Sequence, residues 1–404
     1  MSILLQQNAI PINFKEMMPE LSKLNRATHH IHKYPAKLIP QIPNYLINKY
    51  TYENDTILDP FCGSGTTLLE AILCNRNALG SELNPVAQLI SKVKTTPLDI
   101  KELRLVSENC YKLIKNCKKF VIPEFENRDL WFTKKTQREL AKIKQSIDIL
   151  DVHPDIHDFF LVCFSAIIYK VSNAEQRDIK PRLAKQPNST NVLNEFLRQL
   201  NFNIERMTSL QSLKNKSTII GDDAKKINIQ RKVNMIITSP PYLSAMEYFR
   251  TTKLEYYWLN NGNAERYREL ARQTIHGELS SGINKELQVI DIPKIDDFVF
   301  MIYKKSPKYG FKASKYFSDL FMILQKMHRI LLDDGYMAII IGNSKIMEKR
   351  VPLNYFLPLM CNKIGFNLNL EMLDEIKLPR LMTKRINHTN RIYNEHILIF
   401  QKLC

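Results

Sequence analysis

The residues best suited to chemistry follow a short apolar stretch in the second half of the chain. Val233–Ile237 has the composition of a buried parallel strand, and the segment TSPPY (238–242) comes directly after it. Two consecutive prolines cannot continue a strand ladder or a regular helix, so the backbone leaves the sheet extended and stiff. A rigid polar turn at the carboxyl end of a buried strand is where open α/β sheets place ligands.

This turn presents the groups that can hold a planar exocyclic amine. The Ser239 hydroxyl and the Pro240 carbonyl are two acceptors for its N–H hydrogens, and the face of Tyr242 can stack on a heterocycle. Hydrogen bonds of this kind draw the nitrogen lone pair out of ring conjugation. A strand-terminating turn with a packed tyrosine is the alternative interpretation of the same residues.

A second candidate site lies in the segment TILDPFCGSGTTLLEA (56–71). Its strand, glycine turn and helix start resemble a nucleotide-cofactor loop, with Gly63 and Gly65 allowing close approach of the backbone. The full GxGxxG spacing and the Lys-Ser/Thr pair of a phosphate-binding loop are missing. We therefore expect a loop around an uncharged adenosyl or methionyl group.

Acidic residues follow the next two predicted strands. Glu82 ends the strand 77–83, about twenty residues past the glycines, where doubly wound folds bind ribose hydroxyls; capping of the helix that starts at Pro85 is the alternative. Asp222 ends the predicted strand 217–222, and Asp223 follows it directly. We expect one of them to accept from an adenine amino group and the other to cap the following turn.

A proline-containing segment, HHIHKYPAK (29–37), precedes the glycine turn. The three prolines of the longer stretch 29–50 confine its first half to extended and turn conformations, before a helix that starts at Pro40 or Pro43. An ordinary capped surface helix is one interpretation. In the functional interpretation, His32, Lys33 and Tyr34 lean over a ligand.

Three regions must position these residues. We assign 1–98 to an N-terminal arm and a cofactor-binding half, 99–216 to a helical insertion, and 217–404 to a catalytic half with a second, polar insertion or mobile loop around 260–315. The first insertion has amphipathic helix patterns at 100–118, 133–150, 155–171 and 188–212, more than a crossover requires. An aromatic-rich helix at 243–259 is expected to contribute to the core. The segments 368–377 and 395–401 predict a closing antiparallel pair of strands.

The composition restricts the functional classes. The chain has 404 residues, 44% of them hydrophobic, and a formal net charge of +17, which favours a polyanionic partner such as nucleic acid. The seven cysteines are scattered and form no CxxC, so neither a zinc site nor a disulfide framework is implied and a reducing cytoplasm is expected. We find no signal peptide and no apolar stretch of membrane-spanning length.

Two basic segments are candidates for contacts with phosphate groups. RDIKPRLAK (177–185) lies between apolar helices, where it is a solvated connection or a phosphate-contacting edge, and RLMTKRINHTNR (380–391) lies between the two closing strands. The candidate DNA-binding residues are Arg177, Lys180, Arg182, Lys185, Arg380, Lys384, Arg385 and Arg391.

Taken together, HKYPAK, LDPFCGSGTT, GSELNP, GDD and TSPPY resemble the S-adenosylmethionine-dependent amino-group DNA methyltransferases. TSPPY looks most like the cytosine-N4 branch of restriction–modification enzymes. The resemblance covers the sheet-forming parts, roughly 28–98 and 217–259 together with LLDDGYMAIIIGNS (331–344) and NEHILIF (394–400), and leaves the insertions unmatched. It implies a doubly wound, Rossmann-like α/β fold with a seven-stranded sheet and a reversed terminal strand.

The resemblance also implies roles for individual residues. Ser239, Pro240, Pro241 and Tyr242 match the catalytic tetrapeptide. The residues implied to bind S-adenosyl-L-methionine are His32, Tyr34, Pro35, Ala36, Asp59, Pro60, Phe61, Cys62, Gly63, Ser64, Gly65, Thr66, Thr67, Glu82, Leu83, Asn84 and Asp222 or Asp223.

The implied substrate is double-stranded DNA, with the target cytosine flipped out of the duplex and a restriction endonuclease of the same specificity as an implied partner in the cell. No stable complex with that nuclease and no metal are implied. Adenine-N6 enzymes usually carry Asp or Asn at the position of Ser239, but some carry Ser, so adenine stays open as the target base. Methylation of a guanine amino group in RNA, and a binding protein that has lost turnover, are the further alternatives.

Overall fold

The computed structural model describes residues 9–23, 26–35, 37–176, 178–244, 246–275, 286–375 and 394–403. The strands in these ranges are β1 (Ile10–Ile12), β2 (Thr56–Asp59), β3 (Asn77–Ser81), β4 (Ser217–Gly221), β5 (Val233–Thr238), β6 (Leu331–Ile341), β7 (Ser344–Ile346), β8 (Lys349–Val351), β9 (Phe366–Glu375) and β10 (Asn394–Lys402).

The helices are α1 (Phe14–Met17), α2 (Gln41–Tyr50), α3 (Thr66–Leu73), α4 (Pro85–Thr95), α5 (Ile100–Asn116), α6 (Arg128–Trp131), α7 (Lys134–Asp148), α8 (Pro154–Val171), α9 (Val192–Met207), α10 (Tyr248–Thr251), α11 (Lys253–Leu259), α12 (Ala264–Gln273), α13 (Pro293–Lys305), α14 (Pro307–Ile330) and α15 (Leu353–Ile364). The four helices predicted in the first insertion are confirmed as α5, α7, α8 and α9; three are shorter than predicted, and α8 begins one residue earlier. The predicted single helix at 243–259 is instead two short helices, α10 and α11.

The main sheet contains the seven strands expected for the fold and one more. Its order is β1-β9-β10-β6-β5-β2-β3-β4. The pairs from β6 to β4 are parallel, whereas β10 runs antiparallel to both β6 and β9. The reversed strand is therefore confirmed. The eighth strand, β1, comes from the N-terminal arm and pairs in parallel with the end of β9.

Helices cover both faces of this sheet because alternate strand residues point to opposite sides. Ile57 and Ile340 belong to a hydrophobic cluster with α2, α3, α5 and α7–α9, whereas their neighbours Leu58 and Ile339 belong to a second cluster with α13–α15. The helices of the first insertion thus bury apolar residues in the same cluster as the sheet. None of the described helices is long and apolar enough to cross a membrane.

The polar region around 260–315 is the main difference from the sequence prediction. Its described parts contain α12, α13 and the start of α14, whereas the Gly277–Gly282 loop lies outside the described residues. Pro293 and Pro307 stand in the first turns of α13 and α14, where a missing N–H costs nothing. Ile295, Val299 and Ile302 are buried at helical spacing, so the lysine-rich composition describes the outer face of a packed helix.

Candidate active site

The tetrapeptide extends from the centre of the sheet. β5 lies between β2 and β6, and its apolar residues are buried. Directly after it, Ser239, Pro241 and Tyr242 line a cavity at the carboxyl ends of the parallel strands. Pro240 is buried beside them and its side chain is not part of the lining.

The glycine turn lines the same cavity from the neighbouring strand. Pro60, Phe61 and Gly63 are lining residues. Gly63 has a φ of +51°, and a Cβ added there would lie 3.7 Å from Cε1 of Tyr34, so the turn packs close to the HKYPAK segment. The glycine turn and the tetrapeptide, 170 or more residues apart, therefore share one cleft.

Other residues of the glycine segment lie beneath the turn, away from the cavity. Cys62, Ser64, Gly65, Thr66 and Thr67 are absent from the cavity lining, and four of them are buried side chains. Gly65 has a φ of +77°, and a Cβ at this position would lie 3.1 Å from the Cα of Ser91 in α4. Position 65 therefore requires glycine for two reasons: the backbone is left-handed there, and a side chain would collide with α4.

Glu82 connects the glycine turn with the second strand. Its Oε2 accepts a hydrogen bond from the Gly63 N–H at 2.9 Å, and its Oε1 accepts one from the Asn84 N–H at 2.8 Å. Burial raises the pKa of Glu82 to about 7, although these bonds favour the ionised form. The carboxylate lines the cavity together with Leu83 and Asn84. Asn84 also caps α4, since its side chain accepts from the Val86 N–H at 3.0 Å.

The two aspartates after β4 have different surroundings. Asp223 is buried, and its Oδ1 accepts a hydrogen bond from the Lys225 N–H at 2.9 Å, which caps the following 3-10 turn. Asp222 is exposed, and both residues line the cavity. The expectation that one aspartate caps the turn is confirmed for Asp223, which leaves Asp222 as the candidate acceptor for an adenine amine.

The HKYPAK segment places only part of its predicted residues at the cavity. Tyr34 lines it, but Pro35 does not, and Ala36 lies outside the described residues. His32 is buried away from the cavity, where its Nε2 is 3.0 Å from the Ser165 hydroxyl and its Nδ1 is 2.9 Å from the Lys33 carbonyl. Burial lowers the pKa of His32 to about 4. The prediction that His32 leans over a ligand is wrong, because it joins this segment to α8.

Asp59 also lies behind the cavity. It is buried at the end of β2, and its Oδ1 accepts from the Thr238 hydroxyl at 2.7 Å and from the Phe61 N–H at 3.1 Å. We therefore assign Asp59 to the support of the two loops.

Several lining residues were not predicted from the sequence; some neighbour the predicted segments and others come from distant parts of the chain. They are Lys37, Leu38, Ala224, Tyr248, Phe249, Gln273, Thr274, Ile275 and Glu395. Gln273 ends α12, and Thr274 and Ile275 follow it. The backbone carbonyls of Gln273 and Thr274 accept hydrogen bonds from Lys225 and Lys315. Tyr248 belongs to the aromatic segment whose Tyr256, Tyr257 and Trp258 are buried in the core as expected. Glu395 could have been predicted as a lining residue, because it is a carboxylate at the start of the reversed strand.

The predicted DNA-binding residues are only partly described. Lys180 pairs with Glu247 at 2.8 Å and Arg182 with Asp178 at 2.7 Å, whereas Lys185 is exposed. Arg177, Arg380, Lys384, Arg385 and Arg391 lie outside the described residues. Among the described residues, no group of three or more His, Cys, Asp or Glu side chains is arranged to hold a metal ion.

Comparison with known proteins agrees with this geometry. The sequence profile of a DNA methylase family of the N6/N4 type matches residues 13–92, which include the HKYPAK segment, the glycine turn and Glu82. Type II methyltransferase M.MvaI of Kocuria varians is 24% identical over 413 residues, which cover 93% of this chain and 90% of that protein.

Two further comparisons are more limited. Type II methyltransferase M.MjaII of Methanocaldococcus jannaschii is 38% identical over 78 residues, 19% of this chain and 15% of that protein. Among solved structures, the rRNA methyltransferase aviRa of Streptomyces viridochromogenes is similar with a TM-score of 0.36 and 9% identity, covering 95% of this chain and 92% of that one.

The sequence matches to DNA methylases indicate a methyltransferase of the class that uses S-adenosyl-L-methionine as the methyl donor, and the doubly wound sheet with its cleft is consistent with that class. Over residues 13–92, which contain the HKYPAK segment and the glycine turn, the chain is similar to the N4/N6 family of amino-group DNA methyltransferases. Residues of the cleft suit that methyl donor: Glu82 offers a carboxylate for ribose hydroxyls, Asp222 an acceptor for adenine, and Gly63 a surface without a side chain.

Proposed function

We propose that this protein transfers a methyl group from S-adenosyl-L-methionine to the exocyclic N4 amine of a flipped cytosine in double-stranded DNA, within a type II restriction–modification system. The observation that carries the proposal is that Ser239 of the TSPPY segment lines one cavity with Gly63 and Glu82. The nucleophile and the methyl donor therefore have binding groups on two sides of the same cleft.

In this proposal, the tetrapeptide activates the amine. The cytosine amino nitrogen is a poor nucleophile because its lone pair is delocalised into the ring. The Ser239 hydroxyl and the Pro240 carbonyl accept its two N–H hydrogens and favour a more tetrahedral nitrogen, which attacks the sulfonium methyl group in line. Positioning of the two reactants supplies most of the acceleration. The Tyr242 ring stacks on the flipped base, whose extrusion from the duplex costs a few kcal/mol.

The remaining cleft residues hold the cofactor. Glu82 accepts hydrogen bonds from the ribose hydroxyls, and Asp222 accepts one from the adenine amine. Phe61 and Leu83 supply apolar surface for the adenine ring, and Tyr34 covers the methionine end. These assignments follow the lining of the cavity and the chemistry of each side chain.

DNA binding is part of the same proposal. The net charge of +17 suits a polyanionic duplex, and the exposed Lys185 is the described member of the basic set that is best placed to contact phosphates. Affinity should then fall steeply with salt. The system would operate in the cytoplasm of a bacterium or archaeon, beside a nuclease that cuts the same unmethylated site.

The test is to incubate the purified protein with labelled S-adenosylmethionine and duplex DNA, digest the DNA and identify the modified nucleoside. We expect N4-methylcytosine. Recovery of N6-methyladenine would move the target to adenine, and preferential methylation of tRNA would place the enzyme among RNA methyltransferases. Absence of transfer to any nucleic acid, together with no cofactor binding in calorimetry, would overturn the proposal.

Replacement of Ser239 tests its role within this reaction. Ser239→Ala should bind S-adenosylmethionine with nearly unchanged affinity while methyl transfer falls by about 10²–10³-fold, the usual effect of losing one preorganised hydrogen-bonding group. Ser217→Ala, at the start of β4 and outside the cavity lining, is the matched control. A normal rate for Ser239→Ala would remove this hydroxyl from the mechanism.

A further inference from the structure

A carboxyl group that the proposed reaction does not yet use lies next to the tetrapeptide. Glu395 is the second residue of β10 and lines the cavity with Ser239 and Tyr242. It reaches this edge because β10 is antiparallel to β6, so that the start of β10 lies where the parallel strands end. No other described residue of β10 lines the cavity.

Hydrogen bonds connect Glu395 to the site of chemistry. The Tyr242 hydroxyl donates to Oε1 of Glu395 at 3.3 Å. Burial and the nearby Glu395 raise the pKa of Tyr242 well above its ordinary value, while a hydrogen bond from the Ser239 hydroxyl lowers it. Ser239 and Tyr242 line the same cavity three residues apart, and the Tyr242 hydroxyl donates to Glu395, so these three side chains can form a chain that leads from the cavity to the carboxylate.

The charged groups around Glu395 keep its proton affinity high. Asp374 is its neighbour on β9, and Lys15 of α1 is close enough to interact with it electrostatically. Burial raises the pKa of Glu395 and Asp374 raises it further, whereas the bond from Tyr242 and the charge of Lys15 lower it. Asp374 is itself held by the Phe14 N–H at 3.2 Å. The result is a carboxylate that accepts a proton more readily than an exposed glutamate does.

Methyl transfer to an amine creates a need for such an acceptor. The new N–C bond uses the nitrogen lone pair, and the pair of the broken S–C bond stays on sulfur. The nitrogen then carries a positive charge until it loses one proton. Within the proposed function, on which this inference rests, the Ser239 hydroxyl already accepts an N–H hydrogen from that nitrogen.

We propose that the Ser239–Tyr242–Glu395 chain removes this proton and that Glu395 is its final acceptor. The amine N–H proton passes to Ser239 Oγ, the Ser239 proton passes to Tyr242 Oη, and the Tyr242 proton passes to Glu395 Oε1. Both hydroxyls end in their original state, the methylated amine is neutral, and Glu395 holds the proton until the product leaves. Glu395 acts through Tyr242 and Ser239 and is therefore a positioning residue.

Two substitutions interrupt the chain while preserving its shape. Glu395→Gln keeps an oxygen that can accept from Tyr242 but has no basic carboxylate, and Tyr242→Phe keeps the ring but has no hydroxyl. Glu371→Gln is the matched control, because Glu371 lies on the adjacent strand β9, bonds to His396 at 2.7 Å and is absent from the cavity lining. Cofactor affinity, measured by calorimetry, should be unchanged in all three variants.

The first readout is the single-turnover rate of methyl transfer against pH, at saturating cofactor so that changes in cofactor binding do not contribute. We expect the wild-type rate to fall on the acid side as Glu395 becomes protonated. Glu395→Gln and Tyr242→Phe should lose that inflection and be slower by about 10²-fold, the usual contribution of a positioned base. The second readout is the infrared band of a protonated carboxyl group, which should appear with product in the wild type and in Glu371→Gln only.

The outcomes separate this inference from the proposed function. An active wild type whose Glu395→Gln variant keeps both the rate and the acid inflection would overturn the inference and leave the reaction in place. A carboxyl band that persists in Glu395→Gln would assign the proton to another group and overturn it equally. A wild type that methylates no DNA would overturn the proposed function and this inference together.

Discussion

The hydroxyl of Thr238 donates a hydrogen bond to Oδ1 of Asp59 at 2.7 Å. Thr238 is the last residue of β5, directly before the tetrapeptide, and Asp59 is the last residue of β2, directly before the glycine turn. The two strands are parallel neighbours. One buried side-chain contact therefore fixes the starting points of the two loops that face each other across the cleft.

Thr238→Val should loosen this connection. Burial raises the pKa of Asp59 to about 6, and the bond from Thr238 favours its ionised form. Loss of the donor should lower the free energy of unfolding by about 1–3 kcal/mol, with a larger effect above pH 6, where the carboxylate is charged, than below it. Chemical denaturation at pH 5 and pH 8 measures this difference, and Thr218→Val, at an exposed position of β4, is the control. Equal losses at both pH values would contradict the assignment.

Cofactor binding should depend on the ionisation of Glu82. Because its pKa is raised to about 7 and ribose hydroxyls bond best to a carboxylate, binding should release a proton. Affinity for S-adenosylmethionine should thus rise with pH and level off above 7, with a loss approaching tenfold per unit on the acid side. Calorimetry in buffers of different ionisation enthalpy measures the proton release.

Glu82→Gln provides the control for this pH dependence, since this variant should bind S-adenosylmethionine weakly at every pH.

The same raised pKa of Glu82 affects the stability of the cofactor-free protein in the opposite sense. The native state keeps a proton that the unfolded chain releases near pH 4.5, so the stability supplied by this proton is present below 4.5 and is lost as pH rises to about 7. A flat affinity profile for the wild type would show that Glu82 does not contact the ribose.

The two glycines of the turn should differ when replaced by alanine. Gly63→Ala should weaken cofactor binding, because its Cβ would project into the cleft near Tyr34, at a cost of about 1–2 kcal/mol for the left-handed backbone. Gly65→Ala adds contact with Ser91 to the same backbone cost and should lower the melting temperature more. Thermal unfolding and calorimetry on both variants test this. Gly221→Ala is the control, since its Cβ would meet nothing within 4 Å.

Replacement of Asp222 should affect cofactor binding, whereas replacement of Asp223 should affect the stability of the fold. Asp223→Ala removes the cap on the Lys225 N–H and should cost about 0.5–2 kcal/mol of unfolding free energy. Asp222→Ala should leave stability almost unchanged and weaken cofactor binding. The same two measurements serve here, and the reverse pattern would exchange the two roles.

The strands and their loops could be predicted because local patterns determine them. An apolar run before TSPPY and another before the glycine turn each end a buried strand, and parallel strands bring their carboxyl ends to one edge. The helices of 99–216 were predictable from their apolar periodicity. Helix α13 and the start of α14 were not predicted, because their many lysines dominate the local composition. The buried residues of α13, Ile295, Val299 and Ile302, are only a small part of that composition.

Long-range contacts explain what the sequence could not reveal. His32 carries the residue type of a ligand-binding group, yet its partner Ser165 belongs to a helix 133 residues later. Strand β1 has three residues and no clear pattern, and it forms only because the end of β9 offers a free edge. Glu395 and Gln273–Ile275 reach the cavity through the topology of the chain, for which local periodicity contains no information.

The interior position of the reversed strand also bears on the order in which the molecule can be made. Since β10 lies between β6 and β9, a nascent chain that has emerged only as far as Glu375 contains the glycine turn and the tetrapeptide, but β9 has no neighbour through which to join the sheet. Tyr242 also lacks its carboxylate partner at that stage. Completion of the cleft must therefore wait until β10 has emerged from the ribosome and paired with β6 and β9.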